Sequence, residues 1–235
     1  MGIKKKIKKL IYNHQIEKNF GHYKVEKKIS VNWHKKFINR VALINACVAN
    51  IFKEKKNCYY LEIGCDDNFV FNSIMLEEKY KTGVDPRSGG NKRTTSDLFF
   101  KNNKKKFDVI FIDGLHHYDQ CQRDVINSIE ALNRNGTIFI HDLIPLDWKS
   151  ELVPRIQGHW SGDVWKVGYE LSKIKNLNFK IVNVDSGVGF FKKKSKINYK
   201  KLTILKEQRF KDFLKIYKKL PLIEPEKALK KILND

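Results

Sequence analysis

With 235 residues, the chain is long enough for one domain with a sizeable core and additional segments at its ends. Its four cysteines (Cys47, Cys58, Cys65 and Cys121) have neither a metal-binding spacing nor the pattern of a disulfide framework, which predicts that the protein resides in a reducing cytoplasm. We expect neither a membrane-spanning stretch nor a signal peptide. The net charge of +21 suggests a nucleic-acid partner, but residues 57–192 carry 18 basic and 18 acidic residues, so the whole excess lies in the flanks.

The N-terminal flank is predicted to be basic and helical. Residues 1–30 form a lysine-rich extension, and apolar residues recur at helical spacing in the segment 31–56 that follows. These apolar residues are Trp33, Phe37, Val41, Ile44 and Val48. The spacing predicts a helix over 31–55 that packs on or covers the domain.

A strand, helix and strand unit comes next. Residues 58–64 are predicted to form a strand, 66–80 a loop and an amphipathic helix, and 81–86 a second strand that ends on Asp85. Glu62 lies in the first strand and Gly64 opens the turn after it. Asp85 follows Glu62 by 23 residues, near the spacing at which α/β nucleotide sites place a carboxylate that binds ribose.

The turn at 64–68 argues against a dinucleotide. Its sequence, Gly-Cys-Asp-Asp-Asn, has one glycine and two acids, whereas a pyrophosphate requires several glycines for close backbone approach. A cofactor with a ribose, a cationic centre and no phosphate suits this turn better. S-adenosylmethionine has that character.

Polar residues follow the next two predicted strands, which cover 109–112 and 137–140 around a helix that ends at Asn135-Gly136. Both strands are apolar without alternation, which is typical of a parallel sheet covered on both faces. The polar residues are Asp113, His116 and His117 after the first strand and His141 and Asp142 after the second. Because parallel strands share one carboxyl edge, these five groups are predicted to converge there.

Six motifs in order carry a family resemblance: LEIGCDDN, GVDP, TSDLFF, FDVIFIDGLHHYDQ, GTIFIHDL and GDVWK. Together they resemble the class I S-adenosylmethionine-dependent methyltransferases, particularly the bacterial branch related to sugar and natural-product O-methyltransferases. The resemblance implies an α/β, Rossmann-like doubly wound fold over 57–194. It also implies a seven-stranded sheet with an antiparallel last strand, which residues 188–191 could supply.

The resemblance also implies the cofactor residues. Glu62, Gly64 and Cys65 would lie around the methionine part of S-adenosylmethionine, and Asp85 would bind the ribose. The adenine would lie near Ser96 and Asp97, and Asp113 would complete the cofactor site. Local alternatives remain open, because Asp85 or Asp113 could simply be a turn residue.

In the related macrolide-sugar O-methyltransferases, acids at the ends of the fourth and fifth strands hold magnesium, and a histidine three residues after the first acid is the base. The matching positions here are His116 for the base and Asp113, His141 and Asp142 for the metal. His141 stands where an acid is expected, which weakens a magnesium site. His116 is therefore the predicted general base whether or not a divalent metal binds, and Asp113 with Asp142 would orient the acceptor.

Three other side chains have both a structural and a functional interpretation. His117 could pack locally or act in the site. Trp160 and Trp165 are interpreted as core or lid packing in preference to stacking on an acceptor.

The C-terminal residues 195–235 are predicted to form a second basic, helical extension. Apolar residues at helical spacing indicate a helix before Pro221 and Pro225, which would interrupt any continuation. They are Ile204, Phe210, Phe213, Leu214 and Tyr217. The basic flanks are either solvated lysine or a surface for an anionic acceptor, RNA or an anionic membrane, which would place the protein peripherally at the inner membrane surface.

Three classes of function therefore compete. The leading hypothesis is O-methylation of a sugar, glycan or other small-molecule acceptor. The alternative is an RNA or other nucleic-acid methyltransferase, although IDGLHH differs from the Asn/Asp-Pro-Pro-aromatic pattern of base amino-group methylation. A binding protein or a nicotinamide enzyme is disfavoured by the single-glycine turn, and a homodimer is compatible with the sequence.

Overall fold

A seven-stranded sheet runs through the computed structural model, which describes residues 3–199 and 201–234. The strands are β1 (Tyr60–Ile63), β2 (Lys81–Val84), β3 (Phe107–Ile112), β4 (Leu132–Ile140), β5 (Lys180–Val182), β6 (Val188–Lys192) and β7 (Leu222–Ile223). Their order across the sheet is β2-β1-β3-β4-β6-β5-β7. β6 runs antiparallel to both neighbours, and all other pairs are parallel.

The predicted α/β fold with a seven-stranded sheet is confirmed, and so is the antiparallel strand expected at 188–191. The prediction that this strand is the last one was wrong, because β7 follows it and is parallel to β5. The seventh strand, β7, comes from the C-terminal flank and pairs with β5. Between β2 and β3, the described residues add only a single bridge between Val84 and Lys92. The chain turns sharply just before that bridge, because Gly89 and Gly90 both have positive φ angles, of 61° and 63°.

Helices cover both faces of this sheet. They are α1 (Ile3–Phe20), α2 (Arg40–Lys55), α3 (Phe69–Ser73), α4 (Ser96–Asn102), α5 (Tyr118–Ala131), α6 (Trp148–Glu151), α7 (Trp165–Ser172), α8 (Phe210–Ile216) and α9 (Pro225–Asn234). Short 3₁₀ turns lie at Gly21–Tyr23, Trp33–Lys35, Glu78–Tyr80, Thr203–Leu205 and Tyr217–Lys219.

Successive side chains along the central strands enter two different cores. In β3, Ile110 packs on the side of α5 and α7, whereas Val109 and Phe111 pack on the side of α2 and α9. All six residues of β3 are buried. This two-sided burial explains why the strand is a continuous apolar run and not an alternating one.

Three predicted helix boundaries were wrong. The helix expected over 31–55 begins at Arg40, because Asn39 caps it by accepting a hydrogen bond from the Ala42 backbone N–H at 3.0 Å. The helix expected within 66–80 is the five-residue α3 followed by a 3₁₀ turn. Asn135-Gly136 lies within β4, and a Cβ on Gly136 would be 2.8 Å from the Asp108 carbonyl oxygen, so the glycine serves strand packing.

Both flanks contribute helices that pack on the sheet-containing unit. Ile16 of α1 is buried, and so are Phe210 and Phe213 of α8. The helical segment around α8 ends at Lys219, before Pro221, as predicted, whereas Pro225 is the first residue of α9. No helix in the described ranges is both long enough and apolar enough to cross a membrane.

Candidate active site

The turn after β1 is held close to the end of β3. Gly64 has a φ of +84°, and a Cβ at this position would lie 2.2 Å from the Asp113 carbonyl oxygen. Only glycine combines this backbone conformation with this close approach. The carboxyl ends of β1 and β3 therefore meet at Gly64, as the sequence predicted.

Asp85 fixes the same turn through four backbone hydrogen bonds. Its Oδ2 accepts from the N–H groups of Cys65 and Asp66 at 3.1 and 3.2 Å. Its Oδ1 accepts from those of Arg87 and Ser88 at 2.8 and 2.9 Å. Burial acts to raise the pKa of Asp85, but these bonds favour the charged form and hold the pKa below its usual value. The local turn role that the sequence left open is thus present, and ribose binding stays a prediction.

Glu62 is a buried carboxyl beside this turn. Burial raises its pKa to about 8, while the hydrogen bond from the Tyr60 hydroxyl and the charge of Arg40 act in the opposite direction. Cys65 is also buried, and its side chain lies among apolar neighbours. The part of Cys65 that meets Asp85 is its backbone N–H.

Two adjoining cavities open at this sheet edge, with volumes of about 510 and 310 Å³. Both are within the range of small-molecule sites. The larger is lined by predicted residues Gly64, Asp85, Ser96, Asp97, Asp113 and His116. The smaller is lined by predicted residues Glu62, Gly64, Cys65, Asp113, His116, His141 and Asp142. Every predicted site residue therefore lines one of the two cavities.

His116 lies between two carboxylates at the boundary that the cavities share. Its Nε2 is 3.4 Å from Asp113 Oδ1, and its Nδ1 is 3.2 Å from Asp142 Oδ2 and 2.9 Å from the Trp160 carbonyl oxygen. Burial lowers the pKa of His116, but the hydrogen bond to Asp113 and the charge of Asp142 outweigh it, so the pKa is raised. The Trp160 ring stacks on the imidazole at 5.1 Å, which orients it further.

His141 pairs with the same two carboxylates. Its Nδ1 is 3.1 Å from Asp113 Oδ1 and 3.4 Å from Asp142 Oδ2. Burial acts against the charged form, but the two acids raise the pKa of His141 to about 10. Burial likewise acts to raise the pKa of Asp113, yet the neighbouring histidines lower it.

These three residues also form a donor set for a metal ion. The ligand atoms of Asp113, His141 and Asp142 lie within 4.8 Å of one another. Two carboxylate oxygens and one imidazole nitrogen fit a divalent transition metal or zinc better than magnesium. Binding would have to displace the proton that His141 Nδ1 shares with the two acids.

The sequence interpretation missed three contributors to the site. Arg40, the first residue of α2, lines the smaller cavity, and its Nε is buried without a hydrogen-bond partner among the described residues. Asp124 of α5 lines the larger cavity, and burial raises its pKa to about 6. Gly162, in the GDVWK motif, has a φ of +59°, and a Cβ there would lie 1.7 Å from the His116 carbonyl oxygen. Of these three residues, only Gly162 was marked in the sequence, because it belongs to the GDVWK motif.

The structure shows where Trp165, Trp160 and His117 lie, the three side chains for which the sequence allowed both a structural and a functional role. Trp165 is fully buried against Phe213, which confirms core packing. Trp160 lines the larger cavity as well as stacking on His116. His117 packs its ring edge-on against Trp160 at 5.9 Å and lines neither cavity.

A comparison with family models assigns residues 33–143 to a family described as "Methyltransferase domain". Residues 33–143 are therefore similar to a methyltransferase domain. The match includes β1 to β4 and the residues at their carboxyl ends. No curated protein matches the sequence.

Solved structures with a similar fold are distant in sequence. A cofactor-bound Rv0187 from MTB is 12% identical, with 69% of this chain and 84% of that chain covered and a TM-score of 0.49. A putative caffeoyl-CoA O-methyltransferase from Staphylococcus aureus is 15% identical, with 82% and 100% covered and a TM-score of 0.47. A putative O-methyltransferase from Klebsiella pneumoniae is 11% identical, with 79% and 90% covered and a TM-score of 0.47.

Proposed function

We propose that the protein is an S-adenosylmethionine-dependent methyltransferase that methylates a hydroxyl group of a sugar, glycan or other small molecule, with His116 as general base. The observation that carries the proposal is the position of His116 at the boundary of the two cavities, between Asp113 and Asp142. A base at this boundary can face both a cofactor and an acceptor. The two carboxylates raise the pKa of His116, so its neutral imidazole accepts a proton more strongly than an ordinary histidine does.

The residues fit S-adenosylmethionine across the two cavities. The turn held by Asp85 and the side chains of Ser96 and Asp97 line the larger cavity, which suits the adenosine part. Glu62 and Arg40 line the smaller cavity, where the Glu62 carboxyl oxygens can accept hydrogen bonds from the ammonium of the methionine part and the Arg40 guanidinium can pair with its carboxylate. The acids of the turn disfavour a pyrophosphate but tolerate a sulfonium.

In this proposal the acceptor oxygen attacks in line with the methyl group while His116 removes its proton. An oxygen–carbon bond forms, the sulfur–carbon bond breaks, and the proton goes to the imidazole. The sulfonium supplies the electrophilic methyl group, and S-adenosylhomocysteine is the leaving group. Asp113 and Asp142 stabilise the imidazolium and hold its orientation, which lowers the barrier without a covalent intermediate on the enzyme.

Asp113, His141 and Asp142 are the residues that would hold a divalent metal. Such an ion would polarise the acceptor hydroxyl and lower its pKa. The role proposed for His116 is the same in either case, because its imidazole is outside this donor set.

The acceptor class can be tested by measuring release of S-adenosylhomocysteine with a panel of nucleotide sugars, envelope glycans and RNA. We expect turnover with a member of the sugar or glycan groups. Turnover with RNA alone would contradict the proposed acceptor class while leaving the methyltransferase assignment intact.

Replacing Arg40 by methionine is expected to weaken S-adenosylhomocysteine binding by about 10- to 100-fold, since a charge-assisted hydrogen bond to the carboxylate is lost. The affinity for 5′-methylthioadenosine, which lacks the amino-acid part, should not change. Isothermal titration of both ligands measures this difference, and Arg134→Met, at an exposed position outside both cavities, is the matched control. Equal losses for the two ligands would contradict the assignment of Arg40 to the carboxylate.

A further inference from the structure

Helix α1 is attached to the domain by one face near its C-terminal half. Ile16 is 5% exposed and packs in the core, and the Tyr12 hydroxyl donates a hydrogen bond to the Ile156 carbonyl oxygen. A surface pocket between α1 and residues 155–158 is lined by Tyr12, Asn13 and Ile16. This docking face fixes the direction in which the rest of the helix points.

A second apolar face of α1 points away from the domain. Ile7, Leu10 and Ile11 are 51%, 68% and 55% exposed and follow the i, i+3, i+4 spacing of one helix face. Ile7 and Ile16 are nine residues apart, which places them about 180° apart around the helix axis. The exposed apolar face is therefore distinct from the face that docks on the domain.

Lysines flank this exposed face. Lys6 and Lys8 lie about 100° to either side of Ile7 around the helix axis, and both are exposed. The sequence has no acidic residue between Ile3 and Ile16. A helix with apolar side chains on one face and lysines beside it matches the boundary between lipid headgroups and acyl chains. The lysines complement the phosphate charges of anionic lipids, and the apolar side chains can enter the acyl region.

We propose that α1 is an interfacial helix that binds the enzyme to an anionic membrane surface through Ile7, Leu10 and Ile11 and the flanking lysines. RNA would engage the lysines but would leave the three exposed aliphatic side chains in water. The helix docks on the segment 155–158, and Arg155 of that segment lines the larger cavity. The membrane-binding face is on the side of α1 opposite this segment, so α1 would lie between the membrane and this wall of the cleft.

Vesicle flotation tests this proposal with the full chain. The probes are vesicles of phosphatidylcholine alone and vesicles of an equal mixture of phosphatidylcholine and phosphatidylglycerol. The test variant is Ile7→Ser/Leu10→Ser/Ile11→Ser, which changes only exposed side chains. The matched control is Met75→Ser/Leu98→Ser/Ile204→Ser, whose side chains are also exposed but lie on other elements.

We expect the wild type and the control to bind the mixed vesicles, and the α1 variant to bind them roughly tenfold or more weakly. Added salt should weaken wild-type binding, because it screens the lysines. Equal binding by the α1 variant, or no vesicle binding by the wild type, would overturn the proposal. The proposal would also be overturned if the three apolar residues were required for RNA binding, or for dimerisation in sedimentation experiments, and not for vesicle binding.

Discussion

Replacement of His116 by alanine is expected to reduce turnover by about 10²- to 10⁴-fold while S-adenosylhomocysteine binds with nearly wild-type affinity. The variant loses the group that accepts the proton of the acceptor hydroxyl, whereas Glu62, Arg40 and the turn at Gly64 remain in place. The measurements are single-turnover methyl transfer and isothermal titration with S-adenosylhomocysteine.

His117→Ala is the matched control, because this neighbouring histidine packs against Trp160 and lines neither cavity. It should retain most of the activity. Unchanged turnover in His116→Ala would reject the base assignment. A parallel loss of cofactor affinity would instead assign a structural role to His116.

The substitution Asp85→Asn is expected to lower both the stability of the fold and the affinity for the cofactor. The amide replaces one carboxylate oxygen by an NH₂ group, which cannot accept hydrogen bonds from the backbone N–H groups that face it. Loss of two charge-assisted bonds should lower the free energy of unfolding by about 2 to 4 kcal/mol and loosen the cofactor turn. Urea denaturation measures the first effect, and titration with S-adenosylhomocysteine measures the second.

Asp66→Asn is the control for this substitution, since Asp66 belongs to the same turn but has an exposed side chain. Asparagine also tolerates the positive φ of 43° at that position. Its unfolding free energy should stay close to that of the wild type. Similar losses in the two variants would show that the four hydrogen bonds to Asp85 are not what stabilises the turn.

Lowering the pH should also weaken the four backbone hydrogen bonds that the Asp85 carboxylate accepts. The folded-state pKa of Asp85 is held below its ordinary value of 3.8, so its stabilising effect is complete above that value and is lost as the pH falls through the folded-state pKa. The difference in unfolding free energy between wild type and Asp85→Asn should therefore be constant near neutral pH and shrink in strong acid. A difference that does not depend on pH would contradict a role for the charged carboxylate.

The sequence predicted those parts of the fold and site that follow from the burial of apolar strands. Buried strands need continuous apolar runs, and each run here stops at the residues that form the cleft, such as Asp85, Asp113 and His141. Parallel pairing then brings these strand ends to one edge. The sheet and the convergence of the site residues could be predicted because they depend on pattern and on chain order.

The missed features depend on contacts between distant segments. Arg40 approaches the cleft because its backbone N–H and guanidinium meet Asp185, 145 residues away. Trp160 and Gly162 position His116 across a gap of more than 40 residues. β7 joins the sheet by pairing with β5 although only two of its residues form the strand. No local periodicity encodes such pairings.

Above all, we propose that the cleft at the carboxyl ends of β1 to β4 binds S-adenosylmethionine. Isothermal titration of the wild-type protein with S-adenosylhomocysteine, alongside a titration with NAD, tests it most directly. We predict saturable, equimolar binding of S-adenosylhomocysteine and none of NAD. Binding of NAD without binding of S-adenosylhomocysteine would contradict an S-adenosylmethionine site in this cleft.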